Sequence, residues 1–305
     1  MTSQVITTPV VRRKNPHRGK LWWRYLIGFV AILFALVPVV WIFLAALNPL
    51  GTLSTQNMSI HDFGLDNFRF LFGWHDVSPE VSYENYPYLQ WFRNSLVIAT
   101  IATIMQVSIG VMAAYAFSRI RFSGKKISLK ALFLLLQFPS MLSLVALFLI
   151  VQSYSKTLPF IGLGTFAGLI VVYLGGSMGF GTFLIVGFMD TIDRSLDEAA
   201  TVDGASINQI FYYIILPLIR PSLATMTLFT VVGLMNDFLL ASIFLTKTSQ
   251  TTLAVGLHAF VSGRYESNWG VFAAGSLLAA IPVVILYQRL QASIVAGLTA
   301  GSVKG

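Results

Sequence analysis

One acid stands alone inside an apolar stretch: Asp237, preceded by Asn236, in the run Gly-Leu-Met-Asn-Asp-Phe-Leu-Leu at 233–240. A carboxylate at membrane depth is costly, so Asn236 and Asp237 are candidates for a transport pathway, a proton or ion site, or a tie between helices. Five of the other eleven acids gather elsewhere. Asp190, Asp193, Asp197, Glu198 and Asp203 lie close together, with only Arg194 and Arg220 as nearby cations. Ser195 followed by Glu198 has the form of a capping box, which satisfies the free amides of a helix start. Gly204 is a natural stop, because glycine takes the left-handed conformation without steric cost. Between them Leu196, Ala199 and Ala200 share one face, small and smooth enough for a groove. Catalysis finds no comparable set. His17, His61, His75 and His258 are scattered, and no cysteine, H-E-x-x-H, G-x-S-x-G or paired carboxylate occurs. Neither an intramembrane enzyme nor a metal site is expected. The Gly-Lys in Ser123-Gly124-Lys125-Lys126 lacks the upstream glycine and the following Ser or Thr of a P-loop, as does Gly19-Lys20, so nucleotide binding is not expected either.

These groups must be positioned by elements that see lipid. Of 305 residues 56% are hydrophobic and 10% charged, with a mean hydropathy of +0.75, against about 25% charged in a soluble domain. A membrane helix needs about 20 apolar residues. Six windows qualify: Tyr25 to Leu47, Asn94 to Ser118, Ala131 to Ser155, one from about Thr165 to Met189, Pro221 to Thr246 interrupted by Asp237, and Ser267 to Gln288. The expected fold is all-α, a polytopic membrane protein with six transmembrane helices. The first window is too long for a signal-peptide core and no A-x-A site follows it, so it is predicted to remain as a helix. Residues 1–20 are polar and basic and read as a disordered tail.

The net charge of +8 raises nucleic acid as a partner, but the position of the charges argues otherwise. With the N-terminus inside, 15 of the 20 Lys and Arg fall on inner segments, which the positive-inside rule expects of a membrane protein. Both termini are therefore predicted to be cytoplasmic. The longest outer segment, 48–92, holds Phe63, Phe68, Phe70, Phe72 and Trp74, a small packed cap that either rests on its own helices or receives an external partner. A second outer loop, 247–268, is longer than joining two helices requires.

Glu198-Ala199-Ala200, three residues, Gly204, nine residues, Ile214, one residue and Leu216-Pro217 resemble the cytoplasmic-loop signature of ATP-binding-cassette importer permeases. AYAFSRIRFSGKK, QFPSMLSLVALF, LPFIGLGT, YLGG, TLAVGL and IVAGLTAGSVKG extend that likeness over nearly all the chain beyond the first window. They resemble the smaller permease of the maltose/maltodextrin type in the carbohydrate-uptake group. Ser123 departs from it, standing where the family usually has proline.

The resemblance implies an importer type I permease domain over 21–305, in the cytoplasmic (inner) membrane of a prokaryote, non-catalytic and binding no cofactor. ATP and Mg would be used by a partner ATPase. The implied partners are a second permease, two ATPase subunits, an extracytoplasmic sugar-binding protein and lipid, with no nucleic acid. The loop 190–216 would couple to the ATPase through Ser195, Leu196, Glu198, Ala199, Ala200, Asp203 and Gly204. The tail 296–305, with Gly301, Ser302, Val303, Lys304 and Gly305, would reach the ATPase pair. Ala254, Val255, Gly256, Leu257 and His258, with Gly256 as a flexible point, would enter the binding protein's cleft, unless Leu253, Val255 and Leu257 merely pack on helix ends. Maltose or maltodextrin is the first substrate expected, and another oligosaccharide such as trehalose the second. The rival class is an ion-coupled secondary transporter built on Asp237.

Overall fold

The computed structural model describes residues 22–48, 63–76, 82–262 and 268–301, and among these every regular element is helical. The predicted tail 1–20 and Ser302, Val303, Lys304 and Gly305 lie outside the described residues.

The first window becomes α1 (Trp22–Leu47), about 39 Å long at 1.5 Å per residue and sufficient for a hydrocarbon core of roughly 30 Å. It touches the rest of the molecule at one end. Only Ala45 and Ala46 are buried, while Tyr25 and Phe34 are 80% and 81% exposed. A helix apolar on all sides needs lipid or a partner protein around it.

The second window begins earlier than predicted, in α3 (Tyr88–Arg119), whose buried stripe includes Ser95, Ala99, Ala102, Gly110, Ala114 and Ser118. Small residues let backbones approach closely where lipid supplies no hydrophobic drive for helix association. Three apolar clusters follow one another along α3. Tyr88 and Trp91 join Phe70, Leu257 and Phe260; Ile98 and Ala102 join Leu169, Tyr173 and Phe244; Val111 and Ala114 join Ile185, Met189 and Phe211. α3 is therefore the spine of the bundle. The last window is α14 (Trp269–Gly301), packed against α1 and against α11 (Arg220–Met235). It runs through the stretch predicted as a tail from 296, as far as Gly301.

The other three windows are broken, each for a chemical reason. The third divides into α4 (Lys125–Leu136) and α5 (Ser140–Ser155) at Pro139, which has no amide to donate and pushes its predecessor out of the helical region. The fourth divides into α6 (Phe166–Leu174) and α7 (Phe180–Met189) across Gly175-Gly176-Ser177-Met178-Gly179. The fifth divides into α11 and α12 (Leu239–Phe244) at Asn236, Asp237 and Phe238. By length and composition three single helices can cross a membrane, and two bent pairs bring the number to five.

The outer segment 48–92 contributes α2 (Asp66–Leu71), which buries Asn67, Phe70 and Leu71. The Asn67 amide donates to the Ala46 and Asn48 carbonyls, both at 2.9 Å. The predicted aromatic cap is thus divided. Phe70 is fully buried, while Phe72 and Trp74 stack on each other outside, with ring centres 5.4 Å apart.

Candidate functional site

The acidic loop folds into α8 (Ser195–Val202). Its start differs from the predicted capping box. Ser195 is already inside the helix, and its amide donates to Asp193 Oδ1 at 3.0 Å. The serine of a box must stand just before the first turn with its backbone extended, but the preceding residue, Arg194, is helical, so the Asp193 carboxylate takes that part. A capping box does form later, where the Ser206 hydroxyl accepts from the Gln209 amide and Gln209 Oε1 accepts from the Ser206 amide. It opens α9 (Ile207–Gln209), a π-helical turn Ile210–Ile215 and α10 (Leu216–Leu218). The chain then bends by 76° into α11.

The stop at Gly204 has the predicted form. Its φ is +85°, the Ala205 amide donates to the Ala200 carbonyl at 2.9 Å and the Gly204 amide to the Thr201 carbonyl at 3.1 Å. This is the paired bonding of a Schellman motif. The shared face of Leu196, Ala199 and Ala200 separates into two. Ala200 is buried in the cluster with Ile210 and Phe211, whereas Leu196, Glu198, Ala199, Val202, Asp203 and Gly204 are exposed.

What holds α8 in place was not anticipated from the residues. Arg119, the last residue of α3, has only 5% of its side chain exposed, and its Nε lies 3.0 Å from Asp197 Oδ2. Its Nη2 donates to the Ile192 carbonyl at 3.0 Å. The neighbouring Ser118 donates its hydroxyl to Asp190 Oδ1 at 2.6 Å and accepts on its carbonyl from Arg194 Nη2 at 2.9 Å and Lys125 Nζ at 3.3 Å. That carbonyl is among the last four of α3, which lack partners within the helix and sit at the negative end of its dipole. Two consecutive residues thus fasten the whole segment from Asp190 to Asp197. Both signals were visible, as the acidic surplus and as Ser-Arg-Ile-Arg at 118–121, but nothing in the spacing joined them.

The pair Asn236 and Asp237 does not act together. Asn236 Nδ2 donates to the Val232 carbonyl of its own helix, and the residue borders a cavity of about 270 Å³ with Leu253, Ala254 and Leu257. Asp237 Oδ2 accepts from the Tyr173 hydroxyl at 2.7 Å and from the Ala241 amide at 2.9 Å. It therefore caps α12 and ties it to α6, on the edge of a cavity of about 540 Å³ also lined by Gln106, Ser143 and Gly176.

In the loop 247–268, Leu253–Ala259 form the helix α13. The Leu253 amide donates to Ser95 Oγ at 2.7 Å, and Asn94 Nδ2 donates to the Ser249 and Thr251 carbonyls at 3.0 Å each. Gly256 lies in the helix rather than at a flexible point: a Cβ there would stand 2.1 Å from a Trp91 ring carbon, so it is a site of close packing. Leu253 and Leu257 are buried, Ala254 and Val255 half-buried, and His258 exposed. Gly301 closes α14, and the rest of the predicted contacting tail lies outside the described residues. Among the described residues no group of three His, Cys, Asp or Glu could hold a metal.

Residues 106–299 match the family described as binding-protein-dependent transport system inner membrane component. The maltose/maltodextrin transport system permease protein MalG of Photorhabdus laumondii is 35% identical over 283 residues, 92% of this chain and 95% of the relative. The maltodextrin transport system permease protein MdxG of Bacillus subtilis is 38% identical over 218 residues, 72% of this chain and 76% of the relative. A bacterial importer of the acidic polysaccharide alginate shares the fold, with a TM-score of 0.69 at 20% identity over 93% of this chain and 99% of that one.

Proposed function

Since this chain belongs to the family of binding-protein-dependent transport inner membrane components, we propose that it is the smaller permease of an ATP-driven importer for maltose or maltodextrin. The observation that carries the substrate is identity of 35% over 95% of a maltose/maltodextrin permease. The chain is a non-catalytic membrane subunit. It works with a second permease, ATPase subunits that use ATP and Mg, and an extracytoplasmic binding protein.

Within that frame six membrane crossings place both termini in the cytoplasm, and α8 docks on the ATPase. The support for docking is the outward Leu196, Glu198, Ala199 and Asp203 on a helix whose Ala200 is anchored inward. Such a helix presents a small surface without giving up its own attachment. Closure of the ATPases would push α8, and the spans would follow, alternately opening the pathway to each side. α13 faces the binding protein, with His258 the exposed member of its 254–258 segment. The segment from Gly301 to Gly305 reaches toward the ATPases.

The test is the purified complex of this chain with its native partners in proteoliposomes. Maltose or maltotriose with its binding protein should stimulate ATP hydrolysis and accumulate inside. Stimulation by trehalose and not by maltose would replace the substrate, and accumulation without ATP would overturn the reading.

A further inference from the structure

We propose that Arg119 is a positioning residue for transport: its ion pair with Asp197 makes α8 and the spine helix α3 move as one body, so that displacement of α8 reaches the transmembrane region without loss. The inference rests on the docking of α8 given above. Its grounds are four links between two consecutive residues of α3 and the segment leading into α8. Arg119 meets Asp197 at 3.0 Å and the Ile192 carbonyl at 3.0 Å, while Ser118 meets Asp190 at 2.6 Å and Arg194 at 2.9 Å. Of these, only the Arg119–Asp197 pair reaches α8 itself.

Burial makes the pair stiff. Arg119 has 5% and Asp197 20% of the side chain exposed, so neither charge can turn to bulk water without a partner, and separating them is far costlier than parting an exposed pair. α8 is otherwise slight, eight residues with only Ala200 buried. Apolar packing of one alanine can slide, whereas the guanidinium is held by charge to Asp197, without a hydrogen bond at Nε, and by the Nη2 bond to the Ile192 carbonyl, which together keep α8 close to the end of α3. Beyond α8, Tyr115 packs on Phe211 with ring centres 4.9 Å apart, so the same end of α3 also grips the π-helical turn.

Because the chain has no cysteine, single labels can be introduced cleanly. In the reconstituted complex, spin labels at Ile104→Cys on α3 and Val202→Cys on α8, both exposed positions, report the distance between the two helices. We expect one narrow distance, unchanged between the nucleotide-free and ATP-trapped states. Arg119→Met should broaden it, leave the complex assembled with ATP hydrolysis, and lower sugar accumulated per ATP about tenfold. Arg119→Lys should recover part of that ratio, and Asp197→Asn should match Arg119→Met without adding to it in the double variant. A wild-type distance that shifts between the states, or an unchanged sugar-to-ATP ratio in assembled Arg119→Met, would overturn the proposal. Docking is checked separately by a maleimide–diazirine cross-linker on Leu196→Cys. Capture of the ATPase with a shifting distance removes the tie alone, whereas no capture removes the docking reading and the tie together.

Discussion

At Gly204 the backbone stands at φ +85° with no neighbouring atom within 4 Å of where a Cβ would be. A substitution there meets no clash, so its whole effect is conformational, about 1–2 kcal/mol for a residue with a side chain forced into the left-handed region. That corresponds to a factor of about 5–30 in the ratio of correctly to incorrectly turned loop. Gly204→Ala should therefore insert normally and lower uptake by at most that factor per inserted copy, while Gly204→Asn, which tolerates this conformation, should lose less. Equal uptake in all three at equal membrane abundance would show that the turn has no part in coupling. Gly256 fails for the opposite reason. Its φ is ordinary, but a Cβ would meet Trp91 at 2.1 Å, and overpacking of this kind costs about 1–3 kcal/mol. Gly256→Ala should lower the thermal midpoint of the purified complex, and an unchanged midpoint would mean that Trp91 has room to move. Both glycines stood out in the sequence, but only the first for the right reason. A helix stop is a local pattern, whereas the ring facing Gly256 comes from a residue 165 positions away.

For single elements, the contest over Asp237 turns on α12. The carboxylate accepts from the Ala241 amide at its start and from Tyr173 on α6, which is what a tie between broken helices requires. Hydrogen bonds between membrane helices contribute roughly 0.6–2 kcal/mol. Tyr173→Phe should accordingly destabilise the complex by that order, measured as a lower midpoint in detergent. Asp237→Asn, which keeps an acceptor oxygen, should retain ATP-driven uptake within about threefold, and collapse of the proton gradient should leave it unchanged. Loss of uptake in both experiments would restore an ion-coupled role. The existence of the helices was legible in the sequence because charge-free windows are long and unmistakable. Their breaks were only partly legible. Pro139 stands at one break, yet Pro38 and Pro282 lie inside unbroken helices, and the π-helical turn at Ile210–Ile215 has no residue type that marks it. The ties from Ser118 and Arg119 were hidden for another reason: they join sites about 70 positions apart.

Taken whole, the molecule is incomplete by itself. α4 buries nothing, and Phe133, Leu134, Phe138, Met141, Leu142, Val145 and Leu149 continue an exposed apolar surface along α4 and α5. Lipid can cover that surface; cover by the second permease proposed above makes a different prediction. Expressed alone, the chain should be recovered at a small fraction of its co-expressed level and should self-associate in detergent on light-scattering chromatography. A stable monomer at undiminished yield would show that lipid suffices. α1 leads to a different conclusion. Its attachment rests on Ala45 and Ala46, and the family match begins well after it, at residue 106. Most of this helix presents only apolar side chains outward, so exchanges of one apolar residue for another between Trp22 and Phe43 should leave membrane abundance unchanged, whereas a bulky residue in place of Ala46 should lower it.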